Sequence, residues 1–362
     1  MNVNRRKFLQ ATAAVAAVPV VNACSGREKS ADPDVPRSRF DEDSTAEQVT
    51  AGLDLTGKIA VVTGCNSGIG FETMRVLALR GAYVIGTGRT LEKAQAACQK
   101  VPGVTTPVEL ELSDFDSVVA CAESIRSLNS PIDMLICNAG MRGGDHQQID
   151  GVEKHFFVNH LGHFLLVNRI LDRLFYADQG RVVVVGSRVA YRDAPETGIE
   201  FDNISGERDY NVRTAYAHSK LANRLFSLEL ARKLKGTRIT SNCLHPGVIN
   251  TNLPRQESKL ARMAWAMFTS IRGKSIAEGA ATSCFVATSP SLDTTSGAYF
   301  EDCNAVRVAG EHHLDDQEMA SKLWRLSENL VGDRLVRHQR PDWSEFEHGL
   351  PRHKSSATGD QS

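Results

Sequence analysis

The sequence has no surplus of charge: 42 Lys and Arg stand against 43 Asp and Glu in 362 residues. So balanced a chain has no general electrostatic claim on nucleic acid or on an acidic membrane surface, which leaves a small or neutral ligand as the expected partner. Closely spaced cysteines are missing too. Cys24, Cys65, Cys98, Cys121, Cys137, Cys243, Cys284 and Cys303 lie far apart, without the C-x-x-C pairs of a zinc ribbon or a thioredoxin-like site. Most fall in apolar runs such as VVTGC and LICNAG, so they read as small buried hydrophobes and not as a disulfide framework. No repeat with the period of a solenoid, roughly 20–50 residues, is present. The apolar run near the N-terminus, Ala11 to Val21, is short of the ~20 residues that a membrane-spanning helix needs.

That run has the surroundings of an address. Asn4-Arg5-Arg6-Lys7-Phe8-Leu9-Gln10 places charge directly before it, the layout of a signal peptide. The paired arginines followed by Phe-Leu resemble the twin-arginine export signal of bacteria, with Asn4 where Ser or Thr is commoner. Val21-Asn22-Ala23-Cys24 resembles a lipoprotein processing site. Lipidation of Cys24 would be the chain's one link to a membrane; otherwise Cys24 is incidental to a cleaved peptide. Residues 1–24 are read as this signal, implying a periplasmic or membrane-tethered protein, with a cytoplasmic one as the alternative. From Ser25 to about Gly52 polar residues dominate, too few of them apolar to offset chain entropy, which predicts a tether over 25–52. Beyond Gly332 the chain is polar again, and 332–362 is expected to be a loosely attached tail.

Between these ends, short β-branched runs alternate with helical ones. Lys58 to Thr63 precedes Ile69 to Arg80, Tyr83 to Thr87 precedes Leu91 to Lys100, and Val108 to Leu112 precedes Asp114 to Leu128. Further strands are expected at Met134 to Asn138, Arg181 to Gly186 and Ile239 to Leu244. Unbroken apolar runs such as Val182 to Val185 mark strands covered on both faces. The pattern predicts one α/β domain over 53–331, a doubly wound parallel sheet with helices on both sides.

The first strand of this domain runs into Thr63-Gly64-Cys65-Asn66-Ser67-Gly68-Ile69-Gly70, which opens a helix. Glycines there allow a pyrophosphate to approach the backbone and the free N–H groups of a helix start, although glycines also serve ordinary tight turns. At the end of the second strand, Gly86-Thr87-Gly88-Arg89 lacks the acidic residue that would meet a ribose 2′-hydroxyl in NAD. Arg89 would instead pair with the 2′-phosphate of NADP. NADP(H) is therefore expected in preference to NAD(H), which the loop would also admit. Downstream, Tyr216-Ala217-His218-Ser219-Lys220 begins a helix and puts Tyr216 and Lys220 on one face. A free tyrosine ionises at about pH 10, and a neighbouring ammonium is expected to lower that value. Ser187 follows a buried strand, at the sheet edge where α/β proteins bind ligands. His160, His163, His218 and His245 are scattered and lack partnered carboxylates, so they predict no metal site.

The loop's TGxxxGIG spacing, Ser187, and the Tyr216 and Lys220 pair resemble the short-chain dehydrogenase/reductase family over about Leu53 to Val331. VNHLGHF, YAHSKLAN, Leu244-His245-Pro246-Gly247 and Gly297-Ala298-Tyr299-Phe300-Glu301-Asp302-Cys303 are similar to its retinol-dehydrogenase-like branch. The resemblance implies that Tyr216 exchanges a proton with the substrate oxygen, assisted by Ser187, while Lys220 supports Tyr216 and holds the nicotinamide ribose. Asn159 would position a water that links Lys220 to solvent. It places the dinucleotide on Gly64, Asn66, Ser67, Gly68, Ile69, Gly70 and Arg89. It adds Glu111 and Leu112, Asn138, Ala139 and Gly140, the turn at Pro246, Gly247 and Val248, and Thr251. Here Glu111 stands where the family has Asp, and Cys137 replaces the first Asn of its NNAG segment. Leu260 to Ile271, with Met263, Trp265, Met267 and Phe268, falls where the family has its substrate lid and implies a lipophilic aldehyde, ketone or alcohol. The oligomeric state is left open, a homo-oligomer included. Two other readings compete: a dinucleotide-binding sensor without turnover, against which the full Asn159, Ser187, Tyr216 and Lys220 set weighs, and a nucleotide-sugar epimerase, whose glycine loop is spaced differently.

Overall fold

Val182 and Val184 pack into one hydrophobic core and Val183 and Val185 into another. Side chains alternate along a strand, so such a division requires helices on both sides of the sheet. The structure, a computed structural model, describes residues 28–249, 273–310 and 312–335. In chain order its strands are β1 (Lys29–Ala31), β2 (Ile59–Val62), β3 (Tyr83–Gly88), β4 (Thr105–Glu109), β5 (Met134–Cys137), β6 (Gln148–Ile149), β7 (Val152–Glu153), β8 (Gly180–Val185), β9 (Ile239–His245), β10 (Tyr299–Glu301) and β11 (Asn304–Val308). Helices are α1 (Ala46–Val49), α2 (Gly68–Leu79), α3 (Leu91–Cys98), α4 (Phe115–Ser127), α5 (Lys154–Phe156), α6 (Gly162–Phe175), α7 (Val189–Arg192), α8 (Val212–Lys233), α9 (Ile276–Thr288) and α10 (Gln317–Val331). A π-helical turn, Phe157–Leu161, joins α5 to α6.

The main sheet runs β1-β11-β10-β9-β8-β5-β2-β3-β4. From β10 to β4 every neighbouring pair is parallel, and the antiparallel β11 and β1 finish one edge. Residues of α4, α6, α8 and α10 fill one core, and those of α1, α2, α3 and α9 fill the other. This is the expected doubly wound sheet. Its order reverses between β2 and β5, so their carboxyl ends part and leave a crevice, the usual ligand position in such sheets. The cysteines described are free and buried.

Three expectations need correction. Residues read as a tether are docked: β1 pairs with β11 in the register Lys29↔Val308 and Ala31↔Val306, α1 buries Ala46 and Val49, and Phe40 meets Phe285 edge-on at 5.9 Å. Composition missed this because backbone pairing with a sheet edge needs no apolar side chains, and Val35, Phe40, Ala46 and Val49 are enough to pack the rest. The fourth strand ends at Glu109, not at Leu112, so Glu111 and Leu112 lie in the turn before α4. The start of the expected tail is also attached, with Leu335 buried after a 3-10 turn. Residues 1–27, including Cys24, and 336–362 lie outside the described residues.

Candidate active site

The glycine loop is shaped by contacts too close for any side chain. A Cβ on Gly70 would sit 2.4 Å from both Asn138 Nδ2 and Gly64 O, and one on Gly64, whose φ is +74°, would sit 3.0 Å from Ala139. These glycines let the loop after β2 fold onto the segment after β5. Thr63 fastens the two: its hydroxyl accepts from the amides of Asn138 and Ala139, each at 2.9 Å, and its carbonyl accepts from Asn138 Nδ2 at 2.8 Å. Ser67 makes no capping hydrogen bond to α2, whereas Thr90, Asp114, Asn211, Ser275 and Asp316 cap α3, α4, α8, α9 and α10. The start of α2 is thus left without a side-chain cap from Ser67, beside a loop whose glycines admit close approach, which fits a pyrophosphate. Cys65 N donates to Thr87 O at 2.8 Å, so the exposed Arg89 follows β3 close to the same loop.

At the other end of the crevice, Asn211 caps α8 by accepting from the amides of Arg213 and Thr214. One turn on comes Tyr216, then Lys220. Ser187, just past β8, lies close enough to the Tyr216 side chain for its hydroxyl to act on the phenol. Lys220 is buried and its Nζ donates to Val185 O at 2.9 Å. Burial brings Lys220 down to about 8. It also raises Tyr216 above the ordinary phenol value, opposed by the nearby charge of Arg142 and by the Ser187 hydroxyl. The expected lowering of Tyr216 by Lys220 is therefore overturned: desolvation prevails, and the leading cationic influence is Arg142.

Asn159 occupies the centre of the π-helical turn, fully buried. Its Nδ2 donates to Ser219 Oγ at 2.9 Å and to Met141 O at 3.1 Å, while its Oδ1 accepts from Met141 N at 2.8 Å. A Cβ on Gly140 would lie 3.1 Å from Asn159 Oδ1 and 3.6 Å from Lys220 Nζ, so Gly140 leaves these two groups in reach of one space. His163 joins the ends of the crevice. Its Nδ1 faces Asn159 O at 3.2 Å and its Nε2 faces the Thr63 hydroxyl at 3.0 Å. Burial holds His163 down at about 4, so it is neutral at pH 7; since a carbonyl only accepts, Nδ1 carries the proton and Nε2 accepts from Thr63.

The other histidines go separate ways: His160 to Ser327 at 2.7 Å, His218 to the amide of Glu200 at 3.1 Å, and His245 into a buried place beside Arg188, Lys29 and Lys274. Glu111 is engaged locally, accepting from Ser113 N and Oγ at 3.0 and 2.7 Å. Leu112 is buried against Gly162, which leaves only its backbone for a ligand. Asn66 is exposed and Ile69 partly buried at the start of α2. Pro246, Gly247 and Val248 follow β9, with Gly247 at φ +100° and Val248 O accepting from Lys274 N at 2.8 Å. Thr251 and the lid segment Leu260 to Ile271 lie outside the described residues. The sequence reading missed Arg142, Thr63, and a buried pair of Glu153 and His155 at 2.7 Å. Only Thr63 carried a signal, standing first in TGxxxGIG.

Comparison with known proteins agrees with this geometry. A short chain dehydrogenase family model matches residues 58–198. The short-chain dehydrogenase TIC 32 A, chloroplastic, of Brassica napus is 39% identical over 308 residues, 82% of this chain and 95% of that one. This chain belongs to the short-chain dehydrogenase family. Retinol dehydrogenase 12 of Bos taurus is likewise 39% identical, over 78% of this chain and 89% of its own, which bears out the retinol-dehydrogenase-like branch. A crystal structure of an uncharacterized protein from Mycobacterium paratuberculosis superposes with a TM-score of 0.63 at 31% identity, covering 78% of this chain and 96% of that one. The short-chain dehydrogenase is thus an NAD(P)-dependent oxidoreductase acting on CH–OH groups.

Proposed function

We propose that this short-chain dehydrogenase interconverts a lipophilic aldehyde or ketone with its alcohol, using NADP(H) in preference to NAD(H). One observation carries the reading of the chemistry: the Ser187 and Tyr216 side chains meet at the carboxyl edge of the sheet, with Lys220 buried beneath them. When bound, the nicotinamide supplies or accepts the hydride at the carbonyl carbon. Tyr216 gives its phenolic proton to the oxygen as charge develops there, and in the oxidation direction takes it back. Ser187 donates a hydrogen bond to the same oxygen. Lys220 and Asn159, both close to the space that a side chain on Gly140 would fill, are suited to returning the proton through water. Glu111 and Thr251 would complete the dinucleotide contacts at the adenine and carboxamide ends.

The preference for NADP(H) rests on Arg89 and on the lack of an acid after β3. A lipophilic substrate is supported by the likeness to retinol dehydrogenases and by the apolar residues of 260–271. Turnover with NADPH and with NADH across a panel of apolar carbonyls tests both. The reading fails if no carbonyl is reduced, and the cofactor preference fails if the two dinucleotides serve equally. We infer from residues 1–24 that the chain is exported by the twin-arginine route already folded, with its dinucleotide, and that Cys24 receives a lipid. Fractionation and mass spectrometry of the mature N-terminus test this; a wholly cytoplasmic protein with an uncleaved start would overturn it.

A further inference from the structure

Four elements bring charged or titratable groups against the Tyr216 side chain among the described residues. From α8 itself, Lys220 Nζ lies 5.9 Å from the ring centroid, with its hydrogen bond directed away to Val185 O. From the end of β8 comes the Ser187 hydroxyl. From α5, His155 meets the ring edge-on with centroids 6.3 Å apart. Its Nδ1 is engaged by Glu153 at 2.7 Å, and Glu153 also accepts from the amide of Phe156 at 3.0 Å. From the loop after β5, Arg142 sets its guanidinium carbon 5.6 Å from the same centroid.

The position of Arg142 is built. Both hydrogen-bonding groups of the Met141 backbone are taken by the Asn159 amide, N–H at 2.8 Å and C=O at 3.1 Å, so the residue that follows leaves from a fixed point. Gly143 and Gly144, both at positive φ, then turn the chain away. A guanidinium over an aromatic face is favourable in itself, and it becomes more so when the ring gains negative charge.

We propose that Arg142 is the second cation of the proton-transfer centre, holding its charge over the Tyr216 ring to balance the phenolate formed there, with Asn159 acting through Met141 to keep it in place. The inference rests on the reading of the chain as a carbonyl/alcohol oxidoreductase. In reduction the Tyr216 O–H bond breaks, its electron pair stays on the phenolate oxygen, and the proton bonds to the substrate alkoxide; oxidation reverses each change. No further reactant is needed. Arg142 faces the Tyr216 ring and takes no part in the bonds that form and break, so it is a positioning residue for charge. Its effect on Tyr216 in the free protein, opposing the rise caused by burial, is consistent with this role.

The test reads Tyr216 ionisation directly, by tyrosinate absorbance in a stopped-flow alkaline jump that precedes unfolding, with the Tyr216→Phe signal subtracted. Arg142→Gln should move the midpoint upward by about one pH unit, the scale of one charge at this distance in a half-buried site. Arg142→Lys, which keeps the charge, should restore most of it and guards against local misfolding. In turnover, the Tyr216 limb of the pH profile should move to higher pH by the same amount, in the acidic limb of oxidation and in the alkaline limb of reduction. An unmoved midpoint in Arg142→Gln would overturn the proposal, as would a loss of activity confined to KM with the limb in place, which would make Arg142 a substrate contact. A shifted midpoint in a chain that reduces no carbonyl would overturn the assigned reaction while leaving the charge pairing intact.

Discussion

Thr63→Val removes one oxygen from the junction between β2 and β5 while keeping the side chain's shape. In the native fold that hydroxyl accepts from Asn138 N and Ala139 N at 2.9 Å each and meets His163 Nε2 at 3.0 Å. Asn138 N has a second acceptor in Ile136 O at 3.0 Å, so it loses little. Ala139 N and His163 Nε2 lose this partner. A buried polar group deprived of its partner costs about 1–3 kcal/mol. Ala139 is partly exposed and water would offset some of that, so the sum comes to about 2–4 kcal/mol. For a domain of this size each kcal/mol lowers Tm by about 2 °C, which predicts a fall of about 4–8 °C in a calorimetric scan. Dinucleotide affinity should fall with it, since the same junction holds the glycine loop against Asn138. Thr63→Ser keeps the oxygen and should retain most of both. If the valine variant melts within about 0.5 kcal/mol of the parent, Thr63 is not the fastening described.

Tyr216→Phe should abolish turnover and leave dinucleotide binding intact, because only the proton-carrying oxygen is lost; isothermal titration beside a turnover assay decides it. Lys220 releases its proton at about 8 in the fold against 10.5 unfolded, so between those values the unfolded chain binds more protons and stability rises with pH. The full cost of burying the charge is present below about 8, so Lys220→Met should be more stable than the parent in urea at pH 7, with an advantage that fades through that window, and inactive throughout. An unchanged or reduced midpoint at pH 7 would contradict the assigned burial cost. Arg89→Ala should cut the affinity advantage of NADP(H) over NAD(H) by about 1–3 kcal/mol, the range of a charge-assisted hydrogen bond; equal affinities in the parent would remove its premise.

What the sequence revealed depended on whether the signal was local. The glycine loop, Ser187 after Val182 to Val185, and the i, i+4 pair of Tyr216 and Lys220 each announce themselves within a few residues, and the sheet order brings them together. Arg142 did not, because its meaning comes from a ring more than seventy positions away and from the Asn159 clamp on Met141. Nothing in the sequence around Glu153 and His155 marks that one would engage the other against Tyr216. The docking of 28–52 escaped because composition averages over a segment, whereas β1 is held through its backbone and through Lys29 on the buried Glu301. Glu301 also takes Arg188 at 2.8 Å and the Tyr191 hydroxyl at 2.9 Å.

The pairing of β1 with β11 sets an order on synthesis. Lys29 is among the first described residues to be made, yet its strand partner Val308 and its acid Glu301 are among the last. Until β11 exists, β1 has no edge to join, and until Glu301 is made, just before it, Lys29 has no acid to meet beside Arg188. A chain cut short before Asn304 would therefore leave β1 without a strand partner, and a finished one carries β1 docked. Whether synthesis has reached the end of the sheet is thus legible at the opposite end of the chain, in the residues just beyond position 27.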